Sequence, residues 1–118
     1  DYDPTTGTPS NQRVFFETHG MAGRPDGGTV DADGCYWMAG VDGGQLVRIT
    51  PAGKIDRLIE MPVRRPTKPM FGGPQLDTLY VTSIGMGTEE DPAQPLAGGL
   101  FAVTGLGIVG IPQIRFAG

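Results

Sequence analysis

Along the chain, short apolar runs rich in β-branched and aromatic residues alternate with clusters of Gly, Pro and Asp. Such runs read as strands, because branched and flat side chains suit a pleated surface and the residues between them turn the backbone. The pattern predicts strands over residues 13–18, 28–31, 35–41, 45–50, 55–61, 68–71, 78–84, 99–104 and 113–116. Asp33-Gly34 and Asp42-Gly43 supply the positive φ that tight hairpins require. Turns of another type are expected from Asp3-Pro4 to Gly7 and from Thr50-Pro51 to Gly53. Helical signal is weak. Acidic residues gather at the start of 89–96, as they do at a helix N-terminus, but Pro92 and Pro95 limit that segment to a turn or two. It belongs to the longest irregular stretch, 85–98, which is expected at one end of the architecture as a solvated connection or as a lid.

The strand pattern repeats. Arg24-Pro25, Trp37 and Gly43-Gly44-Gln45-Leu46-Val47-Arg48 return as Arg65-Pro66, Tyr80 and Gly98-Gly99-Leu100-Phe101-Ala102-Val103. The Arg-Pro copies lie 41 positions apart and the Gly-Gly copies 55. A partial copy opens the chain, where Asp1-Tyr2-Asp3-Pro4 and Gly7 match Arg48-Ile49-Thr50-Pro51 and Gly53. Repeats of roughly 40–50 residues built from several strands point to propeller blades. The expected fold is all-β, a β-propeller of which residues 1–118 cover about two and a half blades. Blades bury their faces against neighbours, so a piece of this size is expected to belong to a larger ring.

Gly and Pro are abundant, at 20 and 11 of 118 residues, but they punctuate apolar runs and form no low-complexity tract. The formal charge of −4 argues against nucleic acid or an anionic membrane as the main partner. The single cysteine, Cys35, can form no internal disulfide and has no nearby Cys or His for a zinc site. The sequence shows neither a membrane-spanning apolar stretch nor a signal segment, and a cytoplasmic location is expected.

Residue types alone offer little catalysis. His19, the only histidine, reads as a surface or loop residue, and Ser10 and Ser83 lack the partners nucleophilic chemistry needs. Gly27-Gly28 and Gly72-Gly73 open no helix, which argues against a phosphate cradle. Asp26 in Arg24-Pro25-Asp26-Gly27-Gly28 stands out. Pro25 restrains its own φ and Gly27 permits a sharp change of direction, an arrangement able to hold a carboxylate where a hard cation such as Ca²⁺ or Mg²⁺ seeks oxygen. The same Asp-Gly pair is also ordinary turn chemistry, and the residues alone leave both readings open. Asp33 and Asp42, each followed by Gly, are lesser candidates of the same kind.

The run from Arg24-Pro25-Asp26-Gly27-Gly28 to Asp31-Ala32-Asp33-Gly34, with Trp37 and Gly43-Gly44-Gln45-Leu46-Val47-Arg48, resembles the senescence marker protein-30, gluconolactonase and luciferin-regenerating enzyme family. Phe71-Gly72-Gly73, Leu79-Tyr80-Val81-Thr82-Ser83 and Gln94-Pro95-Leu96-Ala97-Gly98-Gly99-Leu100-Phe101 continue the likeness in order. The ending Thr104-Gly105-Leu106-Gly107 through Gly110 to Phe116-Ala117-Gly118 looks like that family's C-terminus.

The resemblance implies a six-bladed propeller that holds one divalent cation (Ca²⁺, Zn²⁺, Mn²⁺ or Mg²⁺) in its central channel and hydrolyses a sugar lactone. In that family the cation is held by an N-terminal Glu, a mid-chain Asn and the Asp of Pro-Asp-Gly. Only the last maps here, onto Asp26, as metal ligand and catalytic base. The other ligands and the residues that grip substrate hydroxyls belong to N-terminal blades outside this sequence. Those blades, together with the small lactone, are the expected partners. Gly28 stands where relatives often carry a bulkier residue such as Met, which would widen the channel mouth. Met21 and Met70 are expected to serve packing.

Two other readings accompany the lactonase. One is a calcium-binding or regulatory propeller without turnover, since fold does not fix function. The other is an inactive fragment, which two copies would turn into a closed ring by pairing open edges.

Overall fold

The computed structural model describes residues 1–85 and 91–114, and every regular element among them is a strand. A short hairpin, β1 (Tyr2–Asp3) with β2 (Thr8–Pro9), comes first. A four-stranded antiparallel meander follows: β3 (Arg24–Val30), β4 (Tyr36–Val41), β5 (Gln45–Ile49) and β6 (Ile55–Glu60). The next sheet is β7 (Pro66–Gly72), β8 (Thr78–Ser83) and β9 (Leu100–Val103). Both meanders run in sequence order, and the first strands of the two, β3 and β7, lie side by side. This is the blade arrangement of a β-propeller, in which the first strand of each blade is innermost.

The repeats seen in sequence superpose on this order. Pro25 pairs with Gly40 and Pro66 with Ser83, so Trp37 in β4 corresponds to Tyr80 in β8. The Gly-Gly copies shift by one residue from the expected alignment. Ala39 pairs with Leu46 and Thr82 with Leu100, so Leu46 corresponds to Leu100 and not to Phe101, because the longer β8–β9 connection re-enters the ladder one residue earlier. The opening partial copy is also real. β1–β2 repeats β5–β6, and in each hairpin a glycine at positive φ, Gly7 or Gly53, donates its N–H to the carbonyl of Asp3 or Thr50.

The core lies between the two sheets. Trp37, Ala39 and Leu46 from one face meet Phe71, Leu79 and Val81 from the other, with Val63, Met61 and Ile108 closing the edges. Trp37 is fully buried and stands edge-on to Phe71, ring centroids 6.0 Å apart. The opposite face of β4–β5 (Met38, Val47, Ile49) is covered by Phe16 and Met21 from the segment before β3. The face of β8–β9 that corresponds to the Trp37 and Leu46 face is open: Tyr80 is 39% and Leu100 67% exposed, where their counterparts Trp37 and Leu46 are buried completely.

Several expected elements differ. Residues 13–18 form no strand, since no sheet edge takes their backbone groups; Phe16 packs down while the segment crosses the β4–β5 face. Residues 113–114 are irregular, and 115–116 lie outside the described residues. The helix expected over 89–96 begins outside them; 91–96 instead makes successive turns, with Gln94 N–H donating to Asp91 O and Ala97 N–H to Gln94 O. β3 and β7 begin earlier than expected, at Arg24 and Pro66, because the pairing runs on past a bulge to Pro25 and to Pro66, positions beside a bulge that proline tolerates.

Candidate functional site

Asp26 sits in a β-bulge. The register of β3 on β4 jumps between Pro25 and Gly28, leaving Asp26 and Gly27 outside the ladder. An extra residue in one strand bends it and re-aims its side chain. Asp26 is exposed and makes no hydrogen bond or ion pair among the described residues. Gly27 is there because β7 passes so close: a Cβ on it would stand 2.7 Å from Lys68 Cδ and 2.8 Å from the Thr67 carbonyl oxygen. β7 has its own bulge at that height, between Pro66 and Lys68.

The room beside Gly28 is not an open channel mouth, contrary to the expectation from its small size. The Tyr36 ring and hydroxyl occupy the position a Cβ on Gly28 would take. Lys68 Nζ donates to the Gly28 carbonyl, fixing the bulge from the other side. Gly28→Met is therefore expected to destabilise the full-length protein by about 1–3 kcal/mol, the usual effect of overpacking. Truncation in the same chain, Tyr36→Ala with Gly28→Met, should recover much of that loss, read as urea midpoints of the single and double variants.

Below the bulge, the two Arg-Pro copies converge on one carboxylate. Asp42, at φ 66° in the β4–β5 turn, accepts from Arg24 Nη2 at 2.7 Å and from Arg65 Nε at 2.9 Å, one oxygen to each. The Arg65 hydrogen bond, helped by Arg24 and opposed by burial, holds the Asp42 carboxyl below the usual carboxylate range. Asp42 is thus committed to arginine, which removes it as a metal candidate.

Asp33 is removed in the same way. It belongs to a cluster around the buried Arg48 and Asp31 at the opposite end of the sheet, which the sequence reading passed over. Arg48, with its side chain 8% exposed, donates to Asp31 Oδ2 at 2.8 Å, to Asp33 Oδ2 at 2.7 Å and to Asp56 Oδ2 at 2.9 Å. Asp31, fully buried, also accepts from Trp37 Nε1 at 2.8 Å and from the N–H groups of Asp33 and Cys35 at 3.0 Å. Burial alone would push the Asp31 carboxyl up, but the bonds from Arg48, Trp37 and Cys35 outweigh it, and the carboxyl stands below its usual range. Burial likewise opposes the Arg48 charge, and its carboxylate partners more than restore it. The available signal was Asp31, Asp33 and Trp37 at alternate positions with an arginine on the neighbouring strand.

His19 is exposed, with Nδ1 4.0 Å from Glu17, as a surface residue should be. Ser83 Oγ donates to the Gly99 carbonyl at 2.8 Å. Met21 packs against the β4–β5 face, and Met70 Sδ accepts from Thr29 Oγ1 at 3.7 Å. Cys35 is buried, and burial pushes its thiol up, as expected of an inert small side chain. No helix among the described residues is long and apolar enough to cross a membrane.

The donor set fits a divalent cation only in part. Asp26 is a hard oxygen ligand with its lone pairs uncommitted, but the described residues contain no group of three His, Cys, Asp or Glu side chains able to hold a metal. One ligand from an inner strand needs others from elsewhere.

A family profile described as SMP-30/Gluconolactonase/LRE-like region matches residues 1–85. The whole chain aligns with regucalcin of Xenopus laevis at 41% identity and of Homo sapiens at 40%. It spans about 40% of the length of these curated relatives. Among solved structures, a luciferin-regenerating enzyme superposes with a TM-score of 0.84 at 36% identity, over 94% of this chain and 38% of that one. A regucalcin from Agrobacterium tumefaciens, described as a calcium-binding protein, gives 0.84 at 32% identity, over 97% and 40%.

Proposed function

The chain belongs to the SMP-30/Gluconolactonase/LRE-like family, and from that premise we propose that it forms the C-terminal part of a single propeller whose complete form hydrolyses a sugar lactone with the aid of one divalent cation. The observation that carries this reading is Asp26, an uncommitted carboxylate lifted out of the innermost strand by a bulge. A resident cation (Ca²⁺, Zn²⁺, Mn²⁺ or Mg²⁺) would supply Lewis acidity toward the lactone carbonyl and make water a better nucleophile. Asp26 would be one of its ligands, the rest coming from the N-terminal blades.

Asp26 would also take a proton from the attacking water, a role open to an uncommitted carboxylate. Water adds to the carbonyl carbon, the ring C–O bond breaks, and the proton held by Asp26 passes to the leaving ring oxygen, giving the open hydroxy acid. The bulge sets the direction in which the Asp26 side chain leaves the strand, and a bound cation would order the carboxylate itself. The partner is a small lactone, and neither nucleic acid nor a membrane surface is part of the proposal.

A second reading, a calcium-binding propeller without turnover, is favoured by the description of the Agrobacterium regucalcin. Gluconolactone hydrolysis by the full-length protein separates the two. Turnover that a chelator abolishes and Ca²⁺, Mn²⁺ or Zn²⁺ restores supports the lactonase. Calcium binding without hydrolysis of glucono-, galactono-, xylono- or arabinono-lactone would support the binding protein instead.

A further inference from the structure

We propose that Asp42 is a positioning residue for the Asp26 site, an inference that rests on the reading of Asp26 as a metal ligand. The bulges of β3 and β7 touch: Gly27 has no room for a Cβ against the Thr67 carbonyl oxygen, at 2.8 Å, or Lys68 Cα, at 3.1 Å. The direction of Asp26 is therefore set by how the starts of the two inner strands sit against each other. Asp42 ties both starts together. One oxygen holds Arg24, two residues before Asp26, and the other holds Arg65, two residues before Thr67.

The backbone around Asp42 makes the tie stiff. Gly44 N–H donates to the Arg64 carbonyl and Met61 N–H to the Gly44 carbonyl, so the β4–β5 turn is fastened to the connection leading into β7. Asp42 itself is in the left-handed region, which Asp and Asn tolerate better than other non-glycine residues. Asp42→Asn therefore keeps the turn and removes the charge that recruits both arginines.

The test uses the full-length protein and Mn²⁺ alone as the probe, its dissociation constant read by electron paramagnetic resonance titration well below the melting temperature. Asp42→Asn should weaken Mn²⁺ binding by about tenfold or more, as loss of support behind a metal ligand does. Arg24→Ala, at a largely exposed side chain, should reproduce part of that loss and serves if Asp42→Asn folds poorly. In an Arg24→Ala/Arg65→Ala background, Asp42→Asn should weaken binding no further, since the effect runs through the arginines. Asp56→Asn, at the opposite end of the sheet, reports on general loosening and should leave Mn²⁺ affinity unchanged.

Unchanged affinity in Asp42→Asn, with binding lost in Asp26→Asn, overturns the positioning role while leaving the Asp26 assignment standing. An equal loss in Asp56→Asn also overturns it. Full Mn²⁺ binding by Asp26→Asn overturns both.

Discussion

Replacing Arg48 by methionine in the full-length protein is expected to cost about 3–5 kcal/mol of stability, the usual effect of removing one member of a buried ion pair. Arg48 is the only cation among the described residues bonded to Asp31, which is fully buried. Without it Asp31 keeps its charge in a poorly solvated site, while Asp33 and Asp56 each lose their ion pair with Arg48. Methionine replaces much of the aliphatic volume that packs near the Trp37 ring, so the loss reads as electrostatic and not as a cavity. Adding Asp31→Asn to Arg48→Met should recover a substantial part, because the uncompensated charge goes. Urea midpoints of the two singles and the double measure this. A loss below about 1 kcal/mol for Arg48→Met would place the cluster with ordinary surface pairs.

Acid gives the same cluster a second signature. The folded Asp31 carboxyl lies below its unfolded value, so its contribution is fully present above the unfolded pKa of about 3.9 and is lost as pH falls through the folded value. The native protein should therefore lose stability steeply below about pH 4. In Arg48→Met the sign reverses for this group: burial now raises the carboxyl, protonation relieves it, and the gap between variant and native narrows on acidification. A gap that stays constant from pH 7 to pH 4 would overturn the account.

Asp26→Asn in the full-length protein is expected to lower kcat for gluconolactone by about 10²–10⁴-fold, the range lost with a positioned general base, and to weaken divalent-metal binding as well. Stability should hardly move. Asp26 is exposed, stands outside the ladder and has no partner among the described residues, and changes at such positions usually stay within about 0.5 kcal/mol. The pairing of a large kinetic loss with an unchanged urea midpoint distinguishes a site residue from a folding one. Near-normal turnover would remove Asp26 from the mechanism.

Much of the architecture was legible in sequence for a simple reason: each blade strand carries its own β-branched core residues and its own turn. Val47, Ile49 and Val81 announce strands wherever their partners lie. Residues 13–18 misled because alternation of apolar side chains says nothing about whether a sheet edge is free to pair with them. The Gly28 position misled in a similar way, since absence of a side chain was read as space while Tyr36, eight residues on, filled it.

By itself the sequence determined the all-β class, the blade repeat through Arg24-Pro25 and Arg65-Pro66, and Asp26 as the residue worth testing. These are local properties, written in propensity, turn chemistry and spacing. Only the tertiary structure decided that both repeated arginines share Asp42, that Asp31, Asp33 and Asp56 are held by Arg48, and that Trp37 is buried while Tyr80 is open. The reason is physical: a carboxylate's role depends on which charge reaches it and on how much water remains. Both are set by strands that pack together from distant parts of the chain.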